Sequence, residues 1–180
     1  MELPHHGVLV GYAQAERDYT TTIARNFLGS AQMVLVWDRL KLSADAQLAG
    51  IATKSLREVR HHLRHASDWL VRFDDGTDES KQRAQTALNH LLLYCEAFWS
   101  ENPAEIAAAA NGTSVQVADL RDDWNIVVNE TLLDASLVRS DTEPHQGCVA
   151  QGHVGLHSEH LGFLLAEMQS LARAHPQATW

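Results

Sequence analysis

Cysteine is scarce in this chain of 180 residues. Cys95 and Cys148 are too few for a disulfide framework, and their separation fits no zinc-binding spacing. Positive charge is also short: Lys plus Arg is 14 against 23 Asp plus Glu, a formal net charge of −9. Nucleic acid binding needs clustered cations to displace counterions, and anionic membrane surfaces attract the same clusters. No nucleic-acid or membrane partner is therefore expected. No apolar run approaches the roughly 20 residues of a membrane span. The start, Met1-Glu2-Leu3-Pro4-His5-His6, shows no basic segment followed by an apolar stretch, so it does not read as a secretory signal. Strand-like alternation is almost missing, since Val8-Leu9-Val10 and Val115-Gln116-Val117 are too short to build a sheet. Gly-rich phosphate loops and dinucleotide fingerprints are missing as well. These absences describe a reduced, cytoplasmic, soluble protein.

What is present favours helix. Apolar residues make up 45% of the chain and charged residues 21%, with Ala and Leu prominent. The length predicts a single helical domain over 1–180. Long helices are expected at about 19–42, 44–73 and 78–99, and shorter ones at about 103–110, 118–133 and 158–174. In the first, Ile23, Phe27, Ala31, Val34 and Leu35 recur at helical steps. From Ala31 to Trp37 it is apolar nearly all round, so it needs neighbours on several sides. In the second, Leu48, Ala52, Leu56, Val59, Leu63, Ala66 and Leu70 form one stripe, with Ser43 as the expected N-cap. The turn Asp74-Asp75-Gly76 gives Gly76 as a candidate for positive φ. Ala84, Ala87, Leu88, Leu91, Leu92, Cys95 and Phe98 point inward from the third. Asn102-Pro103-Ala104-Glu105 is a helix start, with Asn as cap, Pro at the first position and Glu105 reaching back. Leu120, Trp124, Val127 and Leu132 mark the fifth helix, and Leu161, Leu164, Leu165, Met168 and Leu171 the inward face of the last. Residues 140–155 read as a loop. The class is all-α.

Helical bundles host di-iron sites through inward Glu residues and a pair of Glu-x-x-His motifs. Glu58-Val59-Arg60-His61 is one literal match. It lies among Arg57, Arg60 and Arg64, as a solvated face would, and Glu96 of the third helix and Glu159 and Glu167 of the last give no second copy of the motif. The first helix has no carboxylate between Tyr19 and Trp37. His61 and His65 have the spacing of a two-histidine zinc face, but the neighbouring arginines repel a cation. Glu58 and His62, four apart, lie nearer the apolar stripe and are expected in a hydrogen-bonded or ion-paired structural role. Glu58, His61 and His62 are thus the candidate metal ligands, and a ligand set within this chain is incomplete. His153, His157 and His160 cluster with Glu159. They read as a helix start with Ser158 as cap, and His157, Glu159 and His160 as candidate partner contacts. Cys95 reads as inert packing. Cys148 has His145 and His153 nearby but no third catalytic group.

Several stretches together resemble the C-subunit family of phenylacetate-CoA oxygenases, the ring-1,2-phenylacetyl-CoA epoxidases. They are Thr22-Ile23-Ala24-Arg25-Asn26-Phe27, Glu58-Val59-Arg60-His61-His62-Leu63-Arg64 with Trp69-Leu70, and the turn Asp75-Gly76-Thr77-Asp78. Gly155-Leu156-His157-Ser158-Glu159-His160-Leu161-Gly162 follows, continuing through Leu165-Ala166-Glu167-Met168-Gln169 to Trp180. The resemblance implies a ferritin-like helical bundle, here N-terminally shortened by the family's first two helices. It implies a non-catalytic structural subunit of a multicomponent complex for phenylacetate degradation. No cofactor is expected in this chain; the di-iron centre and substrate belong to an A-type catalytic oxygenase subunit. It also implies that Glu58 and His62 form the family's signature pair, and that Ser30 stands where an acidic residue is expected. A shortened bundle could be completed by a homodimer through the first two helices. Two other readings remain: a metal-dependent oxygenase in its own right, and a short ferritin-like homo-oligomer outside the complex.

Overall fold

A computed structural model describes residues 18–140, 155, 157 and 159–178. The described residues form six α-helices and two short 3-10 helices, with no strand. The α-helices are α1 (Tyr19–Leu40), α2 (Ala46–Asp74), α3 (Asp78–Leu92), α4 (Pro103–Ala110), α5 (Arg121–Asp134) and α6 (Glu159–Ala174). The 3-10 turns are Cys95–Trp99 and Val117–Leu120.

α1 is the central element and touches α2, α3 and α5. Its Ile23, Ala24, Phe27, Leu28 and Ala31 enter the main core, which also takes Ala66, Leu70 and Phe73 of α2. Ala84, Ala87, Leu88 and Leu91 of α3 and Trp124, Val128 and Leu132 of α5 complete it. The small Ala side chains at these crossings let the helix axes approach. A second, smaller cluster joins Met33 and Trp37 to Ala52 and Leu56, where only α1 and α2 contribute.

Local chemistry sets the helix ends. Asp18 caps α1, its Oδ1 accepting from the Thr21 backbone N–H at 2.7 Å and from the Thr21 hydroxyl at 2.8 Å. The cap of α2 is Asp45, not Ser43 as expected. Asp45 Oδ1 accepts from the N–H groups of both Gln47 and Leu48, whereas the Ser43 hydroxyl donates to the carbonyl of Thr113. α4 has the expected capping box: Asn102 Oδ1 accepts from Ala104 and Glu105, and Glu105 Oε2 accepts from the Asn102 N–H. Its C-terminus closes on Gly112, φ +79°, with Gly112 donating to Ala109 and Thr113 to Ala108.

Three further expectations need correction. The third helix does not run to 99; it ends at Leu92, and a 3-10 turn carries Cys95 and Phe98 into the core. Gly76 is not in the positive-φ region. It is needed for space, because a Cβ there would lie 2.8 Å from Ser80 Oγ. That hydroxyl accepts from the Thr77 N–H and lies 2.7 Å from the Phe73 carbonyl, so it bridges the end of α2 and the start of α3. The largest difference is α6. Its Met168 is 71% and Leu171 55% exposed, and Phe163 faces solvent beside them. The periodicity of α6 is real, but of its apolar face only Leu161 and Leu164 are half-buried, and none of its residues joins the main core, where α5 contributes Trp124 and Val128 against α1. The 140–155 loop (apart from Ser140 and Gly155), Cys148, His153 and Ser158 lie outside the described residues.

Candidate functional site: a cleft between the first two helices

α1 and α2 pack closely through Met33, Trp37, Ala52 and Leu56, yet leave an open cleft of about 560 Å³ along one side. That volume is in the range of small-molecule sites, which span about 300–1,000 Å³. From α1 it is lined by Arg25, Asn26, Gly29, Ser30, Met33 and Trp37, positions that one helical face brings together at three- and four-residue steps. From α2 it is lined by Ser55, Glu58, Val59 and His62. Met33, Trp37 and Val59 give an apolar end, and the remaining side chains a polar one.

Glu58 and His62 thus do share a site, as their spacing predicts. Both are exposed, and neither makes a hydrogen bond or ion pair with another described residue. The structural pairing expected for them is not found, because no donor or counter-charge of α1 reaches them. His61 is not in the cleft. It lies outside on α2, where its Nδ1 accepts from Arg64 Nη2 at 2.9 Å, so the literal Glu58-x-x-His61 motif is not assembled into one site. His65 stacks edge-on toward Trp69 instead of joining His61. His157 is exposed, and Glu159 and His160 open α6; the side chains of the latter two lie outside the described residues.

The sequence reading missed Arg25. It is half-buried in the cleft, and burial pulls its guanidinium below the ordinary value. Its hydrogen bond goes to the neighbouring Asn26 Oδ1 at 3.3 Å, not to a carboxylate. A usable signal was its four-residue step to Gly29, which places a cation beside a gap in an otherwise bulky helix. Cys95 is buried against Leu91, and burial pushes its thiol well up, so it is poorly nucleophilic.

A two-iron centre needs several inward carboxylates together with histidines. The cleft offers one carboxylate, Glu58, and one imidazole, His62. Among the described residues no group of three or more His, Cys, Asp or Glu is placed to hold a metal ion. The residues present do not fit a di-iron centre.

A family model described as phenylacetic acid catabolic protein matches residues 4–180. The chain belongs to the phenylacetic acid catabolic protein family. Among curated proteins it is similar to the C-subunit of the 1,2-phenylacetyl-CoA epoxidase of Escherichia coli (strain K12), with 36% identity over 167 residues. The match covers 93% of this chain and 66% of that relative. Family membership agrees with the all-α architecture described here and with the ferritin-like bundle expected from the motifs. No helix among the described residues is long and apolar enough to cross a membrane. In this member of the family the polar lining of the α1–α2 cleft is Arg25, Asn26, Ser30, Ser55, Glu58 and His62.

Proposed function

We propose that this chain is a non-catalytic structural subunit of a multicomponent phenylacetyl-CoA epoxidase, acting in cytoplasmic phenylacetate degradation. In this reading an A-type partner holds the di-iron centre and performs the epoxidation, and this chain contributes shape and contact surface. The donor set of the cleft carries the proposal: one carboxylate, Glu58, and one imidazole, His62, on the face where a bundle of this class would hold its metals. The similarity to an epoxidase subunit over most of the chain supports the assembly.

The test is co-expression with an A-type catalytic partner. Co-purification at a fixed ratio is expected. Failure to associate overturns the reading, and so does near-stoichiometric iron bound by this chain alone, which favours the metal-dependent oxygenase reading.

The open side of α1 and α2 supports a second association, a homodimer through these two helices. Two such pairs together would supply the four long helices of one bundle. The mass of the chain in solution tests it.

A further inference from the structure

We propose that the α1–α2 cleft is self-complementary: it closes on the same cleft of a second copy, with Arg25 of each copy paired to Glu58 of the other. This rests on the homodimer reading and names the contact that would specify it.

Arg25 and Glu58 are the two residues of permanent charge in the cleft, of opposite sign and on facing helices. Neither is ion-paired with another described residue of its own chain. Other charges nearby are paired where a partner is in reach. Asp38 bonds Lys41 at 2.8 Å and Arg60 at 3.2 Å, and Arg39 lies 3.6 Å from Asp123. Arg25 is also partly withdrawn from water, with only a side-chain amide as partner. A partly desolvated cation is stabilised by any carboxylate brought to it.

Two-fold symmetry decides the occupant. In such an interface the same patch meets itself, so residue i contacts j while j contacts i. A patch bearing one sign of charge would repel its copy. A patch bearing one cation and one anion satisfies both in a single step. Gly29 and Ser30 lie between the charged positions and the apolar end, and their small side chains allow two helices to approach. Of the apolar end, Val59 is the side chain still partly exposed and would be covered, since Met33 and Trp37 are already buried between α1 and α2.

The experiment is light scattering on the full chain over a micromolar concentration series, for the wild type, Arg25→Glu, Glu58→Arg and the double variant. The wild type is expected at twice the 20.0 kDa chain mass. Each single reversal places like charges together and should weaken dimerisation by about 100-fold or more. The double variant restores opposite charges and should recover the dimer. Circular dichroism checks that each variant is helical; should a reversal not fold, Arg25→Gln and Glu58→Gln are expected to shift the midpoint in the same direction, by about 10-fold. A monomeric wild type overturns the dimer and the pair together. A dimeric wild type whose single variants dimerise normally overturns the pair alone. Single variants that dissociate without rescue in the double variant also overturn the pairing. The measurement uses this chain alone, so its failure is separate from any failure to bind a catalytic partner.

Discussion

The indole Nε1–H of Trp124 donates to the carbonyl oxygen of Leu28 at 3.1 Å, joining the start of α5 to the middle of α1. Both residues are fully buried. The ring packs edge-on against Phe98 and Trp99, and the Arg139 guanidinium lies 5.5 Å from its centre. Trp124→Phe removes the donor and part of the ring, and should cost about 2–4 kcal/mol. Trp124→Ala should cost at least as much, about 3–5 kcal/mol. Urea denaturation followed by far-UV circular dichroism checks both.

Gln32 presents the opposite case. It is 1% exposed, and neither atom of its amide has a hydrogen-bond partner among the described residues. A desolvated amide without partners is destabilising. Met has the same unbranched length and no such requirement. Gln32→Met is therefore expected to stabilise the fold by about 1–2 kcal/mol, read as a rise in the denaturant midpoint at constant slope. A loss of stability would show that the amide is bonded in solution.

Asp18 links stability to pH. Partial burial pushes its carboxyl up, but the neighbouring Thr20 side chain, hydrogen bonds from Thr21 and the Arg83 guanidinium at 3.9 Å together outweigh this, and it lies below the ordinary value of 3.8. A carboxyl lowered in the folded state stabilises above its unfolded value, and that contribution is lost as pH falls through the folded value. Asp18→Ala should cost about 1 kcal/mol at neutral pH. Asp18→Asn keeps a cap acceptor but not the charge, so it should be less stable than the wild type at pH 7 and converge with it below about pH 4, giving a flatter acid limb. Melting temperature across pH 2–7 for the three proteins is the measurement.

Two glycines should respond with opposite signs. Gly112 ends α4 at φ +79°, where an L side chain is strained whatever the space, and Gly112→Ala should cost about 1 kcal/mol. Gly50 lies in α2 with nothing within 4 Å of an added Cβ. Gly50→Ala should add about 0.5–1 kcal/mol through helix propensity. Thermal unfolding of the two variants side by side gives the comparison.

Helix existence was readable because capping residues and apolar steps agree along the same segments, as at Asn102–Glu105 and along Ala52, Leu56, Ala66 and Leu70. The cap of α2 was misread because Ser43 and Asp45 are both good caps, and only the fold assigns the Ser43 hydroxyl to Thr113. The end of α3 was misread because a 3-10 turn keeps Cys95 and Phe98 inward much as a continuing helix would. Periodicity also marked the apolar face of α6, but a pattern states which side is apolar, not that a neighbour covers it. In the cleft, the Glu58–His62 spacing was legible because both lie on one helix. The contribution of Arg25 and Ser55 depends on how α1 and α2 lie against each other, which no spacing within either helix encodes.

The Ser80 hydroxyl sits under Gly76 with no room for a methyl group, and it engages the Phe73 carbonyl and the Thr77 N–H together. Straightening α2 into α3 would expose those groups at once, so this corner resists unlatching. Copies of the chain that associate should therefore meet as intact bodies instead of trading helices across a loosened elbow.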